Sequence, residues 1–559
     1  MPKKSQADNE LVFLPLGGAG EIGMNLYLYG FGSARKRKWL MVDLGITFGD
    51  FRHPGIDTIL PDISFIEELR DDLVGIVITH AHEDHYGAVQ TLWPGLRVPV
   101  YATRFAIEML APRLAYNGLD EELSVTEIAP GEIFELGPFS IELISVSHSL
   151  PEPNAVAIKT SAGSLIHSGD WKLDDEPVIG DGVDLARFKA LGDEGVRALV
   201  CDSTNVLRDG CSPSEGDVAR SLAAIVKSAK NRVAITGFAS NVARIHSIAK
   251  AAEAAERHVV AVGRSMHRVV AAAKACGYLR DIAPFIAEEH CGSLPRDKTL
   301  ILCTGSQGEA RAALGRIATD QHPHVTLNKG DLVVFSSRTI PGNEKAIGQV
   351  HNDLAALGCD IIVDGDQLVH VTGHPRRDEL KQLYDLVRPE ILIPMHGEMR
   401  HLVEHAKFAR QCGIKQSAVV LNGEMVHLGP GDMRIIDEVP SGRMHIDGHL
   451  TVPGFDGPAH QRKRLGFAGI VTVSLVVDAA GDILADPAII AHGLPQFNEH
   501  DELFVDIIDD AVQAGWDRLS RREKRDDAAL GEGVRRQIRR SVSQAWGKKP
   551  ICYVTVSRL

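Results

Sequence analysis

Three imidazoles and two carboxylates fall within six residues at His80-Ala-His82-Glu-Asp84-His85. A single histidine is ordinarily a core or surface residue, but nitrogen and oxygen donors packed this closely are the chemistry of a divalent cation site. The segment follows Leu73-Val-Gly-Ile-Val-Ile-Thr79, a β-branched run without charge, which predicts a strand buried on both faces. The chain turns outward at the strand's carboxyl end, so His80 and His82 can face one ion while Asp84 and His85 face a second. More donors stand where other apolar runs stop: His148 after Phe139–Ser147, Asp170 after Ser164–Gly169, and His396 after Ile391–Met395. An aspartate such as Asp170 can bridge two cations about 3.5–4 Å apart, the spacing of two-metal phosphoryl chemistry. The expected metal ligands are therefore His80, His82, Asp84, His85, His148, Asp170 and His396.

Those donors must be delivered by elements far apart in sequence. Residues 1–215 alternate strands and helices and hold most of the ligands, yet His396 lies far downstream, so something is inserted. Residues 216–365 alternate helical runs (Val218–Lys227, His246–Ala255) with strands (Arg232–Thr236, Val259–Val262, Thr299–Thr304, Leu332–Phe335), which predicts a parallel α/β unit. The first half resumes over 366–446. A Gly/Pro/His-rich stretch, 447–465, reads as a linker, and 466–559 as a small α/β domain without a catalytic constellation. Gly17-Gly-Ala-Gly-Glu-Ile-Gly23 is superficially like a dinucleotide fingerprint, but an alternating strand, Met24–Tyr29, follows it and no helix opens, so it predicts a turn between strands. Thr304-Gly-Ser-Gln-Gly-Glu309 lacks the lysine of a phosphate-binding loop and reads as a strand-end loop lining a cleft.

At 559 residues the chain is too long for one core. With 44% hydrophobic and 24% charged residues it has ordinary globular usage, and no stretch reaches the roughly 18–20 apolar residues of a membrane span. The lysine-bearing start lacks a signal-peptide core, so a cytoplasmic protein is expected. The eight cysteines are scattered without a C-x-x-C pair, which points to reduced thiols and away from a thiolate zinc site. The net charge of −14 does not exclude a nucleic-acid partner, because phosphate affinity depends on local basic groups and bound cations offset acidic ones. Lys172, Arg244, Arg264, Arg338, Arg376 and Arg377 gather near the expected site as candidate RNA contacts.

Leu16-Gly-Gly-Ala-Gly-Glu-Ile-Gly-Met-Asn25, Val42-Asp-Leu-Gly, the histidine motif, Ser168-Gly-Asp170, Asp202-Ser-Thr-Asn205, Gly237-Phe-Ala-Ser-Asn241, Gly263-Arg-Ser-Met266, His370-Val-Thr-Gly-His374 and Pro394-Met-His396-Gly-Glu398 together resemble the β-CASP ribonucleases of the metallo-β-lactamase superfamily, and among them the bacterial ribonuclease J family. The resemblance covers nearly the whole chain. Thr372 departs from it, since the family usually carries serine there, but threonine keeps the hydroxyl. The fold implied is α/β: a metallo-β-lactamase αββα sandwich with an inserted β-CASP domain and a small C-terminal α/β domain. The implied activity is metal-dependent hydrolysis of RNA, 5′-to-3′ from monophosphorylated ends and also endonucleolytic, with two divalent ions, Zn or Mn. His374 is the candidate general acid, Asp84 and Asp202 complete the catalytic set, and His370, Val371, Thr372, Gly373, His374, Ser240, Asn241 and Arg264 are the candidate substrate contacts. Implied partners are single-stranded 5′-monophosphorylated RNA, copies of the chain in a homodimer or homotetramer, and other RNA-decay proteins, with no membrane. Two other readings compete: a dinuclear hydrolase of small esters or lactams, and a catalytically silent RNA-binding subunit.

Overall fold

The computed structural model describes residues 9–455 and 457–559; the lysine-bearing start of the chain lies outside them. The chain divides into two compact units, one of Met1–Thr47 with Leu60–Gly442, the other of Phe48–Ile59 with Arg443–Leu559.

In the first unit an eight-stranded sheet, which includes Glu10–Gly17, Leu26–Ser33, Lys36–Val42 and Leu73–Val77, stacks on a seven-stranded sheet that includes Phe139–Ser145, Asn154–Thr160, Gly163–His167, Ala198–Asp202 and Ile391–Met395. Period-two alternation decides which side chains fill which layer. Leu165, Val200 and Ile393 join Leu11, Phe13, Tyr27 and Val77 between the sheets. Their chain neighbours Ile166, Leu199 and Leu392 face the other way, against Phe188, Leu383, Tyr384 and Ala409. Those four come from the helices Leu185–Glu194, Arg377–Val387 and Met399–Gln411, and the architecture is an αββα sandwich. As expected of a strand buried on both faces, Leu73–Val77 runs parallel to both its neighbours.

Parallel pairing also explains how distant residues meet. Gly163–His167, Ala198–Asp202 and Ile391–Met395 lie side by side in parallel register, so the residues that follow them emerge on one edge of the sheet. The glycine-rich segment does join two antiparallel strands, Glu10–Gly17 and Leu26–Ser33. Within it, Ala19–Gly20 pairs with Gly397–Glu398, and His396 N donates to Gly18 O, which ties the loop to the His396 turn.

The inserted segment forms a five-stranded sheet whose pairs are all parallel. Its order in space is His258–Val262, Thr299–Cys303, Val233–Thr236, Leu332–Phe335, Asp360–Ile362. The first strand in sequence therefore sits in the middle, and the loop at its carboxyl end, Gly237–Asn241, occupies the switch point where open parallel sheets bind ligands.

In the second unit Ile470–Val477 pairs antiparallel with Ala488–His492 and parallel with Ile551–Arg558, and the helices Phe504–Asp517 and Asp527–Trp546 cover one face. The stretch 447–465 is no extended linker. Arg443–Asp447 and Leu450–Pro453 form a hairpin closed by Gly448 and His449, and a helix, Pro458–Ala468, follows. The hairpin shares a sheet with Thr58–Pro61 and Thr47–Phe48. Gly448, at φ +65°, supplies the left-handed residue that a two-residue hairpin loop needs.

Candidate metal centre

Past Val77 the backbone is held by Asp43, whose carboxylate accepts from Thr79 N (2.8 Å) and Thr79 Oγ1 (2.9 Å). The next residues turn into a one-turn helix, Glu83–Tyr86, which aims His82, Asp84 and His85 back over the strand end. The turn is tight against its neighbour: a Cβ at Gly45 would sit 1.7 Å from Asp84 O.

Two groups of donors assemble there. His80, His82, His148 and Asp170 have ligand atoms within 4.8 Å of one another, and so do Asp84, His85, Asp170 and His396. The ring nitrogens that face the first group can be identified. Thr79 Oγ1 donates to Asp43, so it must accept from His80 Nδ1 (2.9 Å), which leaves the lone pair of a neutral His80 on Nε2. His148 Nδ1 lies 2.6 Å from Gly373 O, a carbonyl that can only accept, so its lone pair is also on Nε2. Both lone pairs point at His82 Nδ1, from 3.2 and 3.1 Å. One proton on His82 could serve only one of them, whereas a cation serves all three. Asp170 Oδ1 is buried without a hydrogen bond, although His396 Nδ1 stands 3.0 Å away. These unsatisfied lone pairs fit a metal site, and nitrogen with oxygen donors suits Zn²⁺ or Mn²⁺.

Electrostatics separates the two groups. Burial, reinforced by neighbouring imidazoles, lowers His80 and His148 well below the ordinary histidine range and His82 to about 4, so all three are neutral ligands at neutral pH. In the second group carboxylates dominate. Burial alone would lower His85, but Asp170, Asp84 and Asp43 outweigh it and lift His85 to about 10. Burial is likewise overcome at His396, which Asp170, Asp202 and Asp84 raise. Asp84 is held low by His85 and His396 against the cost of burial. Carboxylates held in their charged form beside neutral imidazoles suit divalent cations.

His374 lies beside this cluster. Its Nδ1 is 2.7 Å from Asp202 Oδ2, so the N–H on Nδ1 donates to the carboxylate and Nε2 is the nitrogen left for chemistry. Burial opposes protonation of His374, but Asp202 and Asp170 raise its pKa above the ordinary value. Asp170, Asp202, His374 and His396 also lie within ligand range of one another. Gly373 is a glycine for a steric reason: a Cβ there would lie 2.4 Å from His148 Nδ1. Val371 is buried and anchors the loop, while His370 is lowered to about 3 by burial and by Arg244, Arg338 and Lys172.

Several expected RNA contacts have structural partners instead. Asn241 caps the helix Val242–Ala254 through Arg244 N and donates to Glu215, so both ends of its amide are taken. Arg244 is buried, paired with Glu215 and donating to Ser336 O and Val369 O, where it pins the base of the His370–His374 loop. Lys172 is buried against Asp174 at 2.6 Å. Ser240 and Arg264 stand at the starts of two helices of the insert, without a hydrogen bond or ion pair to the cluster among the described residues. Residues that the sequence reading did not assign include Asp43, Asn25, which donates to Asp84 O (3.0 Å) and contacts His85 Nε2 (3.0 Å), and Thr204, 3.3 Å from His396 Nδ1. Asp43 left its traces in the sequence as the first polar residue after Trp39–Val42 and as part of the motif Val42-Asp-Leu-Gly, with no role attached to it.

Comparison with known proteins agrees with this architecture. Family profiles described as "Beta-lactamase superfamily domain", "Ribonuclease J, beta-CASP domain", "Zn-dependent metallo-hydrolase RNA specificity domain" and "Ribonuclease J C-terminal domain" match residues 45–193, 230–354, 364–418 and 459–559. A solved structure of an Enterococcus faecalis protein of unknown function shares the fold, with TM-score 0.51 and 16% identity over 75% of this chain and 100% of that one. Ribonuclease J of Corynebacterium glutamicum is 36% identical across 99% of this chain and 77% of its own length. Ribonuclease J of Sinorhizobium meliloti is 50% identical over 552 residues, which span 99% of this chain and 98% of that protein, and the chain therefore belongs to the ribonuclease J family.

Proposed function

We propose that this metal-dependent ribonuclease degrades RNA from the 5′ end, favours 5′-monophosphate termini and also cleaves internally, with two divalent cations, Zn or Mn, per subunit. The observation that carries the reading is that Asp170 belongs both to the group of His80, His82 and His148 and to the group of Asp84, His85 and His396, the place of a bridging carboxylate. His80, His82 and His148 would hold one cation and Asp84, His85 and His396 the other. When bound, such a pair supplies a hydroxide at neutral pH and stabilises charge developing on the phosphate. Asp202 holds the Nδ1 proton of His374, keeping Nε2 turned to donate a proton to the leaving 3′-oxygen. A silent RNA-binding role is disfavoured because every ligand position is filled. The small-ester reading is disfavoured by the insert and the RNA-specificity profile, which those substrates do not need.

A cytoplasmic location, assembly as a homodimer or homotetramer, and contact with other RNA-decay proteins belong to the same reading and rest on family resemblance. Among the described residues no helix is long and apolar enough to cross a membrane. His82→Ala tests the metal assignment. Metal content and RNA cleavage should fall together, and unchanged turnover at full occupancy would sink the dinuclear reading. Comparing one labelled RNA with 5′-monophosphate, triphosphate and hydroxyl ends tests the rest. Equal rates would point to a mainly endonucleolytic enzyme.

A further inference from the structure

Asn205 closes the Asp202-Ser-Thr-Asn205 motif, and the mechanism above leaves it unused. It is 5% exposed, and its Nδ2 lies 3.1 Å from His374 O and 2.8 Å from Thr372 Oγ1. The carbonyl can only accept, so the amide nitrogen must face it, which fixes which way round the side chain sits. The second N–H of the same amide then donates to Thr372. His374 N also donates to Thr372 Oγ1, at 3.3 Å. A hydroxyl oxygen has two lone pairs, and both are engaged, so the Thr372 proton must point away from the protein bonds. That proton meets no acceptor among the described residues, and Thr372 is partly exposed. A fixed donor left free beside the His374 imidazole suits an anionic oxygen.

We propose that Asn205 is a positioning residue that turns the Thr372 hydroxyl outward as a fixed donor to the 5′-terminal phosphate of the RNA. The inference rests on the end-reading ribonuclease proposed above and adds the residue that sets the donor's direction. Ser212, whose Oγ lies 3.3 Å from His374 O, shares the support of the loop but does not touch Thr372. It cannot orient the hydroxyl.

The test measures KM on matched RNAs with 5′-hydroxyl and 5′-monophosphate ends, together with bound metal. Asn205→Leu removes the amide at similar size. The ratio of the two KM values should fall about tenfold with metal content intact, as expected when one hydrogen bond to a charged group is lost. In a Thr372→Val background Asn205→Leu should add nothing further to the ratio, whereas Thr372→Ser should retain it. A fall in both RNAs alike, or an equal further drop in the Thr372→Val background, would overturn the inference and leave Asn205 with a purely structural part. If Asn205→Leu does not fold, Thr372→Val decides alone, because an unchanged ratio there shows that the hydroxyl receives no phosphate. Failure of the parent reading is seen separately, as equal KM values for the two RNAs in the unmodified chain.

Discussion

His85 uses its two nitrogens differently, and the division explains why the proposed ligands depend on residues outside both donor groups. Nε2 faces the cluster, while Nδ1 donates to Asp43 Oδ2 at 2.6 Å. Asp43 is fully buried at a positive φ of 64°, a strained setting that persists because its carboxylate satisfies His85 and both donors of Thr79. Asp43→Asn keeps the shape and removes the charge. Metal affinity should then fall about 10–100-fold, the usual cost of losing such a supporting contact. A metal titration that matched the parent would show that His85 needs no carboxylate behind it. His374 makes a contrasting case, since the role proposed for it is to move a proton. His374→Ala should slow the chemical step about 10²–10⁴-fold and leave metal content unchanged. A variant that lost metal would make His374 a ligand through the Asp170–Asp202–His396 group.

At the scale of elements, the turn Glu83–Tyr86, which carries Asp84 and His85, is held from two sides through Glu83. Arg113, on the helix Arg104–Tyr116, binds that carboxylate with both terminal nitrogens, one of them at 2.7 Å, and lies over the Tyr86 ring. Arg268, from the insert's helix Arg264–Ala275, approaches from 3.6 Å and is more exposed. The two cannot contribute equally. Arg113→Ala should cost about 2 kcal/mol, because it strips charge-assisted hydrogen bonds from a partly buried carboxylate. Arg268→Ala should cost under about 1 kcal/mol. Denaturant unfolding of both variants would reverse this view if Arg268 proved the costlier. The elements themselves were legible where their pattern is strong: Leu73–Val77 and four strands of the insert stand where periodicity places them, whereas the short edge strand Asp360–Ile362 was not assigned. The hairpin in 447–465 was not. Its glycine, proline and histidine content outweighed the alternation of Met444–Ile446 and Leu450–Val452 around Gly448. The grouping of the donors was legible because they are side chains at strand ends. Its supports, Asp43, Asn25 and Asn205, were not assigned, since a buried polar residue shows its role only through partners distant in sequence.

For the whole molecule, the same burial that keeps ligands neutral also sets a limit on acid stability. His405, on the helix Met399–Gln411, lies wholly inside the fold, with Nδ1 2.8 Å from Ser203 Oγ and Nε2 against Tyr384 OH. Burial lowers it to about 3, and Asp202, the one charge that acts on it, does not compensate. His167, between Tyr27 and Tyr29 beneath the site, is lowered to about 3 for the same reason. Because the folded pKa lies below the unfolded value of about 6.5, the folded chain binds fewer protons in this window. The stability from each neutral histidine is therefore fully present above about pH 6.5 and is lost as pH falls towards 3. Between pH 7.5 and 5.5 each such group should cost about 1 kcal/mol. His405→Gln cannot take up the proton in either state. Relative to the parent, its unfolding free energy should fall less across that interval, by about 1 kcal/mol, since contributions common to both chains cancel. Parallel pH profiles for the two would mean that His405 binds its proton equally well in the folded and unfolded chain, and that burial on this helix does not limit the molecule in acid.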